Sequence, residues 1–221
     1  MESKKDVFSE DYFFGRERSN YFDYTFYDNN QYWGPIIQRL IKLGCKGRVL
    51  DIGCAFGYFL KRVVPLFEEI HGVDISSFAI ERAKKEIPSA KLEVLDIETE
   101  ELPYPDAFFD VITAFDVLEH TQSIKKTLGI IIPKLKQEGF LFISVPLRDT
   151  WVGRIRCFFD KDTTHISVPT KKELLDIVNE LGFEVIESSY YLDIGYRLRG
   201  VPGGLELILR KKNSLRAGTV P

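Results

Sequence analysis

Four short apolar runs in this chain each end in an acidic residue, and the first of them runs straight into a glycine turn. Val49-Leu50-Asp51-Ile52 leads into Gly53-Cys54-Ala55-Phe56-Gly57. His71-Gly72-Val73 ends at Asp74, and the alternating stretch Lys91 to Leu95 ends at Asp96. Asp110 to Phe115 ends at Asp116-Val117-Leu118-Glu119-His120. In an open α/β sheet, ligands bind outside the carboxyl ends of the strands, where these acids fall. Glycine is needed where the backbone takes positive φ or approaches a ligand too closely for a Cβ. The helix-like run after Gly57 leaves free N–H groups facing the space above the first strand. The sequence therefore predicts a ligand-binding βα corner.

Spacing narrows the ligand. A dinucleotide-binding turn reads G-x-G-x-x-G, whereas this one reads Asp-x-Gly-x-Ala-x-Gly, which argues against a nicotinamide dehydrogenase. Asp74 still lies about where a carboxylate binds ribose hydroxyls. In order and spacing, the Asp51–Gly57 turn, Asp74, Asp96 and the Asp116–His120 segment resemble the motifs of the class I S-adenosylmethionine-dependent methyltransferases. The resemblance spans roughly residues 45–212 and rests on the agreement of all four motifs. It implies an α/β fold, a Rossmann-like three-layer sandwich with a seven-stranded, mostly parallel sheet whose last strand is antiparallel. It also implies S-adenosyl-L-methionine as methyl donor and S-adenosyl-L-homocysteine as product.

By the same resemblance, Gly53 and Gly57 permit close approach of the methionine part, and Asp51 helps hold its amino group. Asp74 accepts both ribose hydroxyls, and Ile75 lies against the adenine face. Asp96 accepts from the adenine amino group beside the Ile97 backbone, and Asp116 and Leu118 line the methionine side. The chain departs from the family at Ala55, where glycine is more frequent. Alanine costs little there if its φ is negative.

At 221 residues the default is one domain, large enough to bury about 70% of its unfolded surface without staples. The net charge of -3 argues against a nucleic-acid partner held mainly by phosphate neutralisation. Cys45, Cys54 and Cys157 show no close pairing and no metal-like spacing, and read as reduced thiols in a cytoplasmic protein. No apolar stretch reaches the ~18 residues of a membrane helix, and the charged N-terminus lacks a signal-peptide core.

Residues 1–44 form an aromatic-rich N-terminal cap, 45–216 the methyltransferase-like domain with a lid insertion at about 146–169, and 217–221 a tail. The aromatics from Tyr12 to Trp33 are expected to pack onto the core, some of them roofing cofactor or substrate. Ile36, Ile37, Leu40 and Ile41 predict a helix from Pro35 to Leu43, with proline in its first turn. Strands are expected near 48–52, 70–74, 91–95, 109–115, 139–145, 183–191 and 204–211. A helix near 122–136 should kink at Pro133, whose ring meets the carbonyl of Gly129, and Pro65 should end or bend the first crossover helix. Thr170-Lys171-Lys172-Glu173 is a capping box. From Asn213 the chain is expected to fray.

Methyl transfer from a sulfonium is an in-line displacement, so the protein mainly aligns the nucleophile and, where needed, removes its proton. Asp162 and His165 match the spacing of an Asp-x-x-His motif in small-molecule methyltransferases similar to this chain. His165 is thus a candidate substrate-site residue and general base, since imidazole titrates near neutrality; loop packing is the competing reading. The resemblance puts His120 near the sulfonium, where it would shape the substrate pocket. His71 reads as structural or exposed, and Glu119 as a pocket acid or the first-turn acid of a helix. Asp116, Asp160 and Asp162 could supply an octahedral ion, but no spacing demands it and no metal is expected.

Trp151, Ile155, Phe158 and Phe159 fall on one helical face, with Arg148, Arg154 and Arg156 interleaved. This segment is expected to be a lid whose apolar face covers the pocket. Docking on a membrane surface, or arginines meeting a phosphate or carboxylate of the acceptor, are alternatives. The expected activity is methyl transfer to an oxygen, or next a nitrogen, of a small molecule. A sugar or secondary-metabolite intermediate is the first choice of acceptor and a prenylated quinone the next. A methyltransferase-like binding protein without turnover is the alternative of another class. No nucleic-acid or membrane partner is expected, and the oligomeric state is not legible.

Overall fold

The computed structural model describes residues 4–16 and 19–212; the expected tail lies outside them. Its strands are β1 (Arg48–Ile52), β2 (Glu69–Asp74), β3 (Lys91–Val94), β4 (Phe109–Phe115), β5 (Leu135–Pro146), β6 (Phe183–Asp193), β7 (Arg197–Arg199) and β8 (Gly204–Lys211). They form one sheet in the order β3-β2-β1-β4-β5-β8-β6-β7. The first five strands pair in parallel. β8 runs antiparallel between β5 and β6, as the final strand was expected to. The sheet has eight strands rather than seven because β7 hairpins back onto the end of β6. It is three residues long and is closed off by Gly195 and Gly200, too short to give a readable alternation.

The helices are α1 (Lys4–Val7), α2 (Glu10–Phe13), α3 (Asn30–Lys42), α4 (Tyr58–Val63), α5 (Ser77–Glu86), α6 (Ile124–Ile131), α7 (Trp151–Phe159) and α8 (Lys171–Glu180). Alternation along the strands sorts the core into two layers, as the period of two requires. Val111, Phe142 and Ile208 pack with α3, α4 and α5, whereas Ile112, Leu141, Ile143 and Leu207 pack with α6 and α8. Each fully buried aliphatic side chain contributes about 1.5–3 kcal/mol. Phe8, Tyr12 and Phe13 of the N-terminal segment join the first layer, so the cap is continuous with the core.

Three local expectations change. α3 begins at Asn30, not Pro35, because Asn29 caps it by accepting from Tyr32 N–H at 2.8 Å. Tyr32 and Trp33 then extend the buried stripe of Ile36 and Leu40, which outweighs the bond that Pro35 cannot donate inside the helix. α6 ends at Ile131 and a single 3₁₀ turn carries Pro133, so proline terminates this helix instead of kinking it. β5 starts at Leu135, four residues before the expected strand. The capping box opens α8 as predicted: Thr170 accepts from Glu173 N–H while the Glu173 carboxylate accepts from Thr170 N–H.

Candidate active site

The carboxyl ends of β1 to β4 border a cleft lined by Gly53, Asp74, Ile75, Asp96, Ile97 and Asp116. Asp74 Oδ1 accepts from Ser76 N–H and Oδ2 from Ala55 N–H, both at 2.8 Å. Burial pushes this carboxyl up to about 6, against the pull of those two N–H groups. Asp96 Oδ1 accepts from Glu98 N–H at 3.0 Å. Phe8, Tyr12, Phe13, Tyr21 and Tyr24 roof the cleft. Apolar walls with a carboxylate at either side suit a flat base and a ribose, so the donor set fits an adenosine cofactor.

Three of the expected cofactor residues do not line the cleft. Asp51 is buried and accepts from Thr113 Oγ1 at 2.6 Å, and burial drives its carboxyl up to about 8 despite that bond. Gly57 caps α4 at φ 75°, a left-handed conformation that favours glycine without any ligand beside it. Leu118 belongs to the core under α6. At Gly53, φ is 70° and a Cβ would come within 2.1 Å of Val117 Cγ2. Ala55 overturns the expectation of negative φ. It sits at 45°, in the left-handed region, held there as its N–H reaches Asp74.

A second cavity of about 710 Å³ adjoins the first, with Asp116 and His120 lining both. Its floor joins the turn after β4 to the loop before α8. Ile166 and Ser167 donate N–H to Glu119 O at 2.9 and 3.0 Å, and Ser167 Oγ reaches Leu118 O and Thr121 O. These bonds bring His120 and His165 to a ring separation of 4.8 Å. His165 Nδ1 bonds Asp160 Oδ2 at 2.6 Å. Thr164 Oγ1 donates its one proton to Asp162, so it accepts at 2.7 Å from Nδ1–H of His120. Both imidazoles are thus oriented through Nδ1, and His165 Nε2 lies 3.8 Å from Asp162 Oδ2.

Electrostatics split this pair. Burial, then the neighbouring His165, pushes His120 down to about 4. Burial also opposes charge on His165, but the Asp160 bond and the Glu119 and Asp162 charges outweigh it and raise the group. Glu119 is buried, its Oε2 has no hydrogen-bond partner, and burial with the Asp116 charge raises it to about 8. Tyr12 Oη donates to Asp162 Oδ2 at 2.8 Å and ties the cap to this loop. Among the described residues, Glu119, His120 and His165 present ligand atoms that all lie within 4.8 Å of one another. Of the two readings of His71, structural or exposed, burial between Tyr104, Phe108 and Phe109 favours the first.

The α7 expectation is reversed. Trp151, Ile155, Phe158 and Phe159 are 68%, 53%, 82% and 70% exposed, so the apolar face looks mostly outward, with Phe159 at the rim of the second cavity. Val152 and Gly153 fix this orientation, because a Cβ on Gly153 would strike Leu147 O at 1.9 Å. Arg156 points inward instead: its Nη1 is buried without a partner, and the residue lines the second cavity beside Phe159. Sequence reasoning also missed Arg197. It is buried on β7, bonds Asp116 at 2.7 Å and Glu206 at 3.1 Å, and lies 4.6 and 4.5 Å from the rings of Tyr32 and Tyr191. Its only signal was an arginine between two glycines in a stretch without periodicity.

A family described as Methyltransferase domain matches residues 25–188. The chain belongs to this family. It is 30% identical, over 76% of its length and 80% of the relative, to an uncharacterised protein of Methanocaldococcus jannaschii. It is 28% identical to a Mycobacterium tuberculosis protein named as a probable S-adenosylmethionine-dependent methyltransferase, over 56% of this chain and 46% of the relative. With the ubiquinone biosynthesis O-methyltransferase of Schizosaccharomyces pombe it shares 34% identity, over 44% of this chain and 37% of the relative. The chain therefore spans less than half the length of the last two. The crystal structure of YcgJ from Bacillus subtilis superposes with a TM-score of 0.67 at 16% identity, covering 81% of this chain and 99% of that one, which establishes the shared fold. The protein is a methyltransferase that uses S-adenosylmethionine. Among the described residues, no helix is long and apolar enough to cross a membrane.

Proposed function

We propose that this methyltransferase methylates a hydroxyl oxygen on the polar head of a small amphipathic acceptor. The observation that carries this reading is the make-up of the second cavity. Its floor is polar, with Glu119, His120, Asp162, His165 and Arg156, and its mouth is bordered by Phe22, Phe26, Phe159, Ile194 and Tyr196. Phe22 is 85% and Phe26 60% exposed, and their rings lie stacked 6.2 Å apart. Exposed apolar side chains gathered at a pocket mouth mark a surface that meets an apolar ligand. This favours an acceptor with an apolar body over the sugar that the sequence put first. The names of two relatives, the ubiquinone biosynthesis O-methyltransferase of S. pombe and the juvenile hormone acid O-methyltransferase of Drosophila, point to acceptors of the same character.

S-adenosylmethionine supplies an activated methyl group; the chain's own residues have to seat the cofactor and the acceptor and dispose of a proton. Asp74 and Asp96 hold the ribose and adenine ends, with Ile75 and Ile97 along the base. Gly53 and Asp116 border the methionine side, and Asp51, Gly57 and Leu118 shape the corner from beneath. His165, oriented by Asp160, and His120, oriented by Thr164, present Nε2 atoms to the acceptor oxygen and are the groups within reach of its proton. Arg156 anchors an anionic group of the acceptor, since its inward Nη1 lacks a partner.

The test is an acceptor screen with mass-spectrometric detection of S-adenosylhomocysteine. Hydroxylated aromatics and hydroxy acids with apolar tails should turn over, and simple sugars should not. Turnover confined to sugars or amines would overturn the acceptor class. Cofactor binding without product from any class would leave a binding protein.

A further inference from the structure

We propose that Glu119, His120 and His165 form a site for a divalent first-row transition-metal ion on the floor of the acceptor cavity. Two imidazoles and one carboxylate, with further positions open to a cavity, suit such an ion. This deepens the acceptor reading and rests on it: with the ion bound, the imidazoles would act as ligands in place of proton acceptors, and the acceptor hydroxyl, its acidity raised by the ion, would lose its proton to solvent and take an open position.

The first argument is the second shell. Metal-binding histidines carry their other ring N–H on a carboxylate or another oxygen, which fixes both tautomer and ring direction. Asp160 does this for His165 at 2.6 Å and Thr164 for His120 at 2.7 Å. With Nδ1 so engaged, Nε2 is the ring nitrogen left to each histidine for an ion, and His165 Nε2 lies 3.8 Å from Asp162 Oδ2. The second argument is Glu119. It is 1% exposed, with Oε2 lacking any hydrogen-bond partner, although buried carboxylate oxygens are otherwise satisfied in folded proteins. An ion between the three groups gives that oxygen its partner.

The third argument is charge. Among the described residues lining the cavity, six are acids and Arg156 is the one lysine or arginine, so the floor favours a dication. Geometry is also close. The ligand atoms lie within 4.8 Å of one another, and a tetrahedral shell with bonds of about 2.1 Å needs a spacing of about 3.4 Å. Modest side-chain rotations close the difference, while the backbone bonds from Ile166 and Ser167 to Glu119 keep both segments in place. The ligands differ from Asp116, Asp160 and Asp162, the carboxylates the sequence offered. Asp160 instead supports a ligand, and Asp116 is engaged by Arg197.

The test is titration of the full chain, stripped with a chelator, with Co²⁺, read by its visible absorption and by calorimetry. One ion per chain should bind, Zn²⁺ should displace it, and Mg²⁺ should not. Glu119→Gln and His165→Asn should each abolish the spectrum, and Asp160→Asn should weaken binding about 10–100-fold. S-adenosylhomocysteine affinity, measured on the same samples, should stay unchanged and so report an intact fold. Absence of one-to-one binding, or binding that survives both ligand substitutions, would overturn the site. A bound ion with no turnover of any hydroxylated acceptor would instead defeat the acceptor reading alone.

Discussion

The two ends of this active site are built in different ways. At the cofactor end, the polar floor comes from the closes of neighbouring strands under a roof of cap aromatics, and partners such as Asp74, Ser76 and Ala55 belong to adjacent βα corners. At the acceptor end, the site is assembled across the chain: Tyr12 meets Asp162, Tyr32 meets Arg197, and Arg197 meets Asp116. The first can be read from local pattern, because topology alone brings strand ends together. The second exists only once distant segments pack, so its residues are both structural and functional. Specificity then lies in loops and cap while the cofactor corner stays fixed.

That contrast can be broken in four places. The largest effect is expected at Arg197, the buried cation that joins Asp116 to Glu206 and, through Arg39, to α3. Arg197→Met leaves Asp116 and Glu206 short of a buried partner, and denaturant unfolding should show a loss of about 3–5 kcal/mol. If stability holds and only acceptor turnover falls, the acceptor end is more local than described.

The next effect is on pH. Folded Asp51 titrates near 8, above its unfolded value near 4, so the folded state keeps a proton that the unfolded state releases. The associated stability is complete below about pH 4 and is lost as pH rises toward 8, by at most about 1.4 kcal/mol per unit. Asp74, near 6, adds to the slope between about pH 4 and 6. Melting curves of the unliganded protein should therefore fall from pH 5 to 7, and Asp51→Asn should flatten them. An unchanged slope in that variant would place the titration elsewhere.

Smaller still is Asp74→Asn, which removes the charge and leaves one oxygen to accept from only one of Ser76 N–H and Ala55 N–H. Cofactor affinity should weaken by about 1.5–3 kcal/mol in calorimetry while the fold persists. The smallest is Ala55→Gly, which relieves a φ of 45°. Glycine should raise stability by about 1 kcal/mol. A loss instead would mean that the alanine methyl packs more favourably than its backbone is strained.

The strands and their strand-end acids were legible because parallel strands buried on both faces are written as near-continuous apolar runs, as in β1 and β4, and their turns as glycine. What was not legible depends on the partner surface. The α7 stripe reads as a pocket cover, yet the tight approach of Gly153 to Leu147 turns that stripe outward and Arg156 in. Helical periodicity tells which residues share a face, not which way the face looks. Ala55 could not be read either, since φ there is set by the reach of its N–H to Asp74 on the neighbouring strand. Arg197 sits on a strand too short to have a period, and its partners lie far off in sequence.

The most direct test of a site with a local cofactor end and an assembled acceptor end is a paired calorimetric measurement. S-adenosylhomocysteine would be titrated into the Asp74→Asn and Glu119→Gln variants, with turnover of an accepted substrate followed alongside. Weakened cofactor binding in the first, and cofactor binding unchanged with turnover lost in the second, is the predicted result. Cofactor affinity indifferent to Asp74, or lost with Glu119, would contradict the division between the two ends.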